Sequence, residues 1–187
     1  MATSLDLPEG LPVPEDDGGA QHLAGMAMPR VELPTTSGSI VDVAKFPGRT
    51  VLYVYPMTGR PDQALPTGWD DIPGARGCTP QSCGFRDHFE DLKALGVSQV
   101  YGLSTQDSAY QQEARDRLHL PFDLISDEHF KLGDIMRLPH FEVDGRRLFK
   151  RMALILDGAR IRHVFYPVFP PDRNADDVIA WLEANPA

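Results

Sequence analysis

The chain of 187 residues carries 27 acidic and 18 basic side chains, a net charge of −9 and an apolar fraction of 42%. This length suits one domain with an extension, and the acid excess argues against nucleic acid as the main partner, because phosphate binding needs a basic surface. No apolar run reaches the roughly 18 residues of a membrane span, no secretory leader is evident, and two cysteines are too few for a secreted disulfide scaffold, so a cytoplasmic protein is expected.

Residues 1 to 28 are rich in Pro, Gly and acid, as in Leu11-Pro12-Val13-Pro14-Glu15-Asp16-Asp17-Gly18-Gly19. They lack a hydrophobic period and read as an extension, disordered or draped on the surface, ahead of one domain over 29–187. Residues 31–33 and 39–41 flank Thr36-Ser37-Gly38, a hairpin signal. Thr50-Val51-Leu52-Tyr53-Val54-Tyr55 is short, continuous and apolar, the pattern of a buried central strand. Pro56 ends it. A long Pro- and Gly-containing loop over 57–77 follows, and such loops inside compact domains are usually functional. Phe85, Phe89, Leu92 and Leu95 recur at helical spacing and predict a helix over about 79–94, ended by Gly96.

A strand over 99–104 and a helix over about 108–118 come next. Pro121 precedes a short strand at 122–125, and Ser126 is expected to cap a helix over about 128–136. Strands at 151–156 and 161–165 are joined through Asp157-Gly158, a hairpin turn signal. Asn174 or Asp172 is expected to cap a last helix over about 175–184. Strands alternating with helices predict an α/β fold, a mixed central sheet flanked by helices.

The two cysteines stand five residues apart in Gly77-Cys78-Thr79-Pro80-Gln81-Ser82-Cys83. Thr79 suits an N-cap and Pro80 the first helical position. A helix N-terminus carries orphan N–H donors and roughly half a positive charge, a field that favours thiolate over thiol. Cys78, beyond the C-terminal end of a central strand where open α/β sheets place their sites, is therefore the candidate reactive thiol. Cys83 is a second sulfur nearby or a core side chain. Two cysteines without paired histidines do not make a zinc site, and no metal or organic cofactor is implied.

Val54-Tyr55-Pro56, Gly77-Cys78-Thr79 through Cys83, and Phe85-Arg86-Asp87 resemble the peroxiredoxins, most closely the bacterioferritin comigratory protein or peroxiredoxin Q subgroup. Gly102-Leu103-Ser104-Thr105, Phe122-Asp123-Leu124-Ile125-Ser126-Asp127 and Lys150-Arg151 fit in order and spacing. The resemblance spans roughly 30–183 and implies a thioredoxin-like fold, reduction of hydroperoxides and recycling by thioredoxin or a similar dithiol reductant, in a monomer or homodimer. It makes Cys78 the peroxidatic cysteine, Cys83 the resolving cysteine, Arg151 the arginine that orients thiolate and peroxide, and Pro56 the proline that opens the active-site loop.

One position departs from the pattern: Ala75 stands where the family carries Thr or Ser, three residues before the cysteine. A long insertion separates Pro56 from Cys78, and Thr58 or Thr67 is expected to fold back and supply the hydroxyl. Arg86 competes with Arg151, and Trp69 in the inserted loop is either an anchor or a lid. The rival activities are a thiol-disulfide oxidoreductase, disfavoured by the spacing of the sulfurs, and a redox-sensing module with weak turnover.

Overall fold

A computed structural model describes residues 7–186. Its centre is a five-stranded mixed sheet in the order β5-β4-β3-β8-β9. β3 (Arg49–Val54) is the middle strand, and all six of its residues are buried. It runs parallel to β4 (Val97–Ser104), which runs parallel to β5 (Leu124–Ser126). On its other side it pairs antiparallel with β8 (Met152–Asp157), and β8 with β9 (Arg160–Phe165). A β3 flanked on both sides and covered on both faces has no solvated position, which explains its unbroken apolar run.

Alternate strand residues face opposite layers. Val51, Tyr53, Tyr55, Ala153 and Ile155 meet Phe85 and Leu92 of α1 (Cys78–Asp87) and α2 (Phe89–Ala94). Leu118 of α3 (Ser108–Leu118) and Val178 and Leu182 of α5 (Asn174–Ala184) complete that layer. Leu52, Val54, Leu103, Leu154 and Leu156 face the other way, onto Leu132 and Met136 of α4 (Lys131–Met136). The mixed α/β sheet read from the residues, and the thioredoxin-like fold implied by the resemblance, are the architecture observed, with β1 (Glu32–Pro34) and β2 (Ile40–Asp42) as the expected hairpin.

Several local expectations are corrected. The helix expected over 79–94 is two helices, broken at His88, which adopts φ −98° and ψ 14°. The ring nitrogens of His88 face Asp91 at 3.0 Å and Asp176 of α5 at 3.2 Å. Ser126 lies in β5 and its hydroxyl donates to the Gln106 carbonyl. Asp127 caps α4 instead, its carboxylate accepting from the N–H groups of Leu132 and Gly133. Asn174 opens α5 without capping it, because its side chain turns inward.

A further hairpin, β6 (His140–Val143) and β7 (Arg146–Phe149), has no counterpart in the sequence expectations. It turns on Asp144-Gly145, both at positive φ (50° and 72°), and Asp-Gly is the signal that could have found it.

The end of the N-terminal extension enters the core. Ala20, Leu23 and Met28 are buried among β8, β9 and α4 residues. Met28 N–H donates to the Ala159 carbonyl, Gly25 N–H to Ile161 and Ile161 N–H to Met26, so this segment covers the free edge of β9. Leu23→Ala is expected to destabilise the protein by about 2–4 kcal/mol in urea unfolding, as for other fully buried leucines. Val13→Ala, at an exposed side chain, should stay within about 0.5 kcal/mol.

Candidate active site

β3 delivers the chain to Tyr55 and Pro56, both buried at the C-terminal end of the sheet. The 57–77 loop then returns to α1. It is held by its own small cluster, in which Trp69 packs with Met57, Ala75 and Leu148 and leans on Phe141 at 6.2 Å. Trp69 is thus an anchor for the loop. The loop ends at Gly77, which adopts φ 106° and serves as the N-cap. A side chain there would overlap Pro171 and press on Leu7.

α1 begins at Cys78 itself, not after it. Thr79 and Pro80 lie inside the first turn, and the cap expected from Thr79 is provided by the left-handed turn at Gly77. Cys78 stands at the first helical position, among the orphan N–H donors.

Arg151, between β7 and β8, reaches across to it. The side chain is buried, at 3% exposure. Its Nη2 lies 3.2 Å from Cys78 Sγ and within 3.0–3.2 Å of the carbonyls of Gly74, Ala75 and Arg76. Its Nη1 donates to Gln81 Oε1 at 2.5 Å. Gln81 Nε2 in turn donates to Asn174 Oδ1 at 2.9 Å. Among the described residues the guanidinium meets carbonyl and carboxamide oxygens and one sulfur, with no carboxylate. A buried charge needs an opposite partner, and of the two side chains it meets among the described residues, Gln81 and Cys78, only Cys78 is ionisable.

Gln81 and Asn174 were not singled out from the sequence. Gln81 sits three residues after Cys78 and so shares its helix face, which is the signal that could have found it. Asn174 is far away in the chain, and nothing local marks it.

Cys83 is buried one turn further along, packed with the layer of Tyr53, Phe85 and Val178. Burial pushes its thiol up, against a smaller pull from Arg86. Both thiols are free. Burial likewise raises the Tyr53 and Tyr55 phenols, and Tyr53 donates to the Ser82 hydroxyl at 3.1 Å.

The structure does not bring Thr58 to the sulfur. Its N–H and hydroxyl both donate to Gln106 Oε1, at 3.0 and 3.3 Å. Its carbonyl accepts from Gln106 Nε2 and from the Tyr110 hydroxyl. Thr58 therefore anchors the start of the loop, and the role expected of it passes to no threonine, since Thr67 is exposed. Arg86 points elsewhere as well, to Asp87 and the Leu118 carbonyl.

A thioredoxin-like sheet that holds a cysteine at a helix N-terminus against a buried arginine defines a thiol-dependent peroxidase. A family model described as Redoxin matches residues 23–179. The chain belongs to this family, and within it to the peroxiredoxins of the Bcp and peroxiredoxin Q group. It is 31% identical over 170 residues to peroxiredoxin Bcp of Escherichia coli K12, covering 86% of this chain and 95% of that one. It is 29% identical over 190 residues to the chloroplastic peroxiredoxin Q of Oryza sativa subsp. japonica, covering 98% and 79%. The crystal structure of peroxidoxin BcpB from Mycobacterium tuberculosis shares the fold, with TM-score 0.70 and 23% identity over 88% of this chain and 98% of that one. No helix among the described residues is long and apolar enough to cross a membrane, and no cluster of three or more His, Cys, Asp or Glu there is arranged to hold a metal.

Gly77→Ala should cost about 2 kcal/mol or more, because it adds the overlap with Pro171 to the strain of positive φ. Gly96, at φ 86° with open space around it, supplies the control. Gly96→Ala should cost about 1 kcal/mol by the same urea measurement.

Proposed function

We propose that Cys78 is the peroxidatic thiol, that Arg151 orients it and its substrate, and that Cys83 resolves the product. The observation that carries this is the 3.2 Å approach of Arg151 Nη2 to Cys78 Sγ at the start of α1. In the first step the Cys78 thiolate attacks one oxygen of a hydroperoxide in line with the O–O bond. An S–O bond forms, the O–O bond breaks, and the departing oxygen takes a proton and leaves as water or an alcohol. The permanently charged guanidinium suits the charge that builds on the peroxide oxygens.

Cys83 then attacks the sulfenic sulfur. The S–S bond forms as the S–O bond breaks, and hydroxide leaves as water. Both cysteines lie on one intact helix, where positions five apart have Cα atoms about 8–9 Å from each other. A disulfide tolerates about 4.4–6.8 Å. The first turns of α1 must therefore unwind before the bond closes. A thioredoxin-type dithiol returns both sulfurs to thiols by exchange. Thr58, held on Gln106, supports the loop and takes no part in the chemistry.

After one equivalent of hydrogen peroxide, the mass of the peptide spanning 78–83 should fall by two hydrogens, and amide exchange over that segment should rise. An unchanged mass with Cys78→Ser still turning over peroxide would exclude the assignment. If Cys83→Ser turns over with thioredoxin as fast as the parent, the resolving assignment is wrong and the peroxidase assignment stands.

Burial holds the Cys83 thiol above its ordinary range, so little of it is thiolate at neutral pH and more forms as pH rises. The rate of disulfide closure should therefore climb by roughly tenfold per unit between about pH 6 and pH 8. Rapid-quench mass spectrometry of the closing step checks this, and a flat profile means that the unwinding of α1, not the thiolate fraction of Cys83, sets the closing rate.

A further inference from the structure

The described residues of the N-terminal extension before Ala20 are fastened at one end and lie across the cysteine loop at the other. Ala20 and Leu23 are buried, which fixes the chain beside β9. Asp17 ties it a second time. Its Oδ2 accepts from Lys150 Nζ at 2.6 Å, and its Oδ1 from the Tyr166 hydroxyl at 2.7 Å and the Gly19 N–H at 2.9 Å. Lys150 and Tyr166, with the Gly19 N–H, hold the Asp17 carboxyl well below the usual range. Ahead of Asp17 the chain runs over the loop that leads to Cys78, with Pro14 against Gly74 and Leu7 against Gly77.

These contacts fall on the part of the chain that has to move. Gly77 is the N-cap of α1 and is clasped between Leu7 and Pro171. Closing Cys78 onto Cys83 shortens a Cα separation of about 8–9 Å to at most about 6.8 Å. Cys78 cannot make that shift alone, because the turn at 74–77 is joined to it, and Pro14 and Leu7 stand against the two ends of that turn. A cavity of about 460 Å³ otherwise separates the segment from the body. Few points therefore hold the segment down, and the Asp17 tie is one of them. Contacts made with the wound helix and lost on unwinding lower the population of the unwound form, and the closing rate falls with it.

We infer that residues 7–17 form a strap that keeps the first turns of α1 wound, and that Asp17 is the positioning residue that holds the strap down. The strap thereby sets how long the sulfenic acid on Cys78 lasts before Cys83 reaches it. The inference rests on Cys83 being the resolving thiol. It gives the N-terminal segment a role in the second chemical step and none in the first, since neither Asp17 nor the strap touches the sulfur.

The test follows two steps in the full chain by rapid-quench mass spectrometry after one equivalent of hydrogen peroxide: oxidation of Cys78, and closure of the Cys78–Cys83 disulfide. Asp17→Ala and Tyr166→Phe cut the tie from its two sides. Asp17 is exposed and Tyr166→Phe keeps the ring, so neither change threatens folding. Asp17→Ala should close the disulfide about fivefold faster, about the worth of one exposed ion pair with its hydrogen bonds. Tyr166→Phe should give a smaller gain, and the double variant should close no faster than Asp17→Ala, because both changes cut the same tie. Oxidation of Cys78 should stay within about twofold of the parent, and amide exchange over 77–83 in the reduced protein should rise with the closing rate. Asp134→Ala removes an exposed ion pair with Arg147 on the other face of the sheet and should leave both steps unmoved. Closure in Asp17→Ala less than about twofold faster than in the parent, an equal gain in Asp134→Ala, or an oxidation step that shifts as much as closure overturns the strap and leaves the resolving assignment standing. A parent that forms no Cys78–Cys83 disulfide overturns the resolving assignment and the strap with it.

Discussion

A single buried guanidinium organises the catalytic end of this molecule. Arg151 is enclosed without a carboxylate among the described residues, and its Nη2 gathers three successive carbonyls of the 57–77 loop and the sulfur of Cys78 at one point. Removing one partner of a buried charge network costs far more than the network adds when complete. The loop and the cysteine are therefore bound to one position of the arginine. That position is set by the core: Arg151 immediately precedes β8, which pairs along its whole length with β3. The most buried strands thus fix the charge, and the charge fixes the loop. The same economy explains Ala75. Its backbone carbonyl lies 3.0 Å from Arg151 and 3.6 Å from Sγ, so the position acts through its main chain even without a hydroxyl.

What could be read from the residues followed from how local its cause was. β3 and β8 announced themselves by continuous apolar runs, because burial on both faces leaves its mark in nearly every residue, and β9 by the Asp157-Gly158 turn signal that joins it to β8. Cys78 and Cys83 were legible from spacing, and Arg151 from its place in a resemblance. The break at His88 was not, since the apolar spacing of Phe85, Phe89 and Leu92 continues across it and the tie to Asp176 comes from a distant helix. Asn174 looked like a cap because its type favours caps, yet its partner is Gln81, many residues away. Thr58 was misplaced for a similar reason. The hydroxyl missing at Ala75 suggested that a threonine of the inserted loop folds back to the cysteine, whereas the decisive fact is Gln106, which meets both the donors and the carbonyl of Thr58.

The extension shows the same limit from the other side. Its acid and proline content hides the few residues that matter, Ala20, Leu23 and Met28, which are too sparse to give a period. They are buried because β9 has an open edge, and an edge recruits whatever backbone can pair with it. The pairing through Gly25, Met26 and Met28 brings the segment along the sheet and on toward the catalytic loop. Edge protection and the shaping of the active-site surroundings are thus done by one stretch of chain.

The hydrogen bond from Gln81 to Asn174 reaches beyond the site. Gln81 belongs to the first turn and a half of α1, and Asn174 is the first residue of α5, its Nδ2 already lacking a partner among the described residues. If that turn leaves its place, the carbonyl of Asn174 is orphaned as well, at a penalty of about 1–3 kcal/mol. The C-terminal helix would then feel the state of the Cys78 sulfur through a side-chain amide as well as through packing.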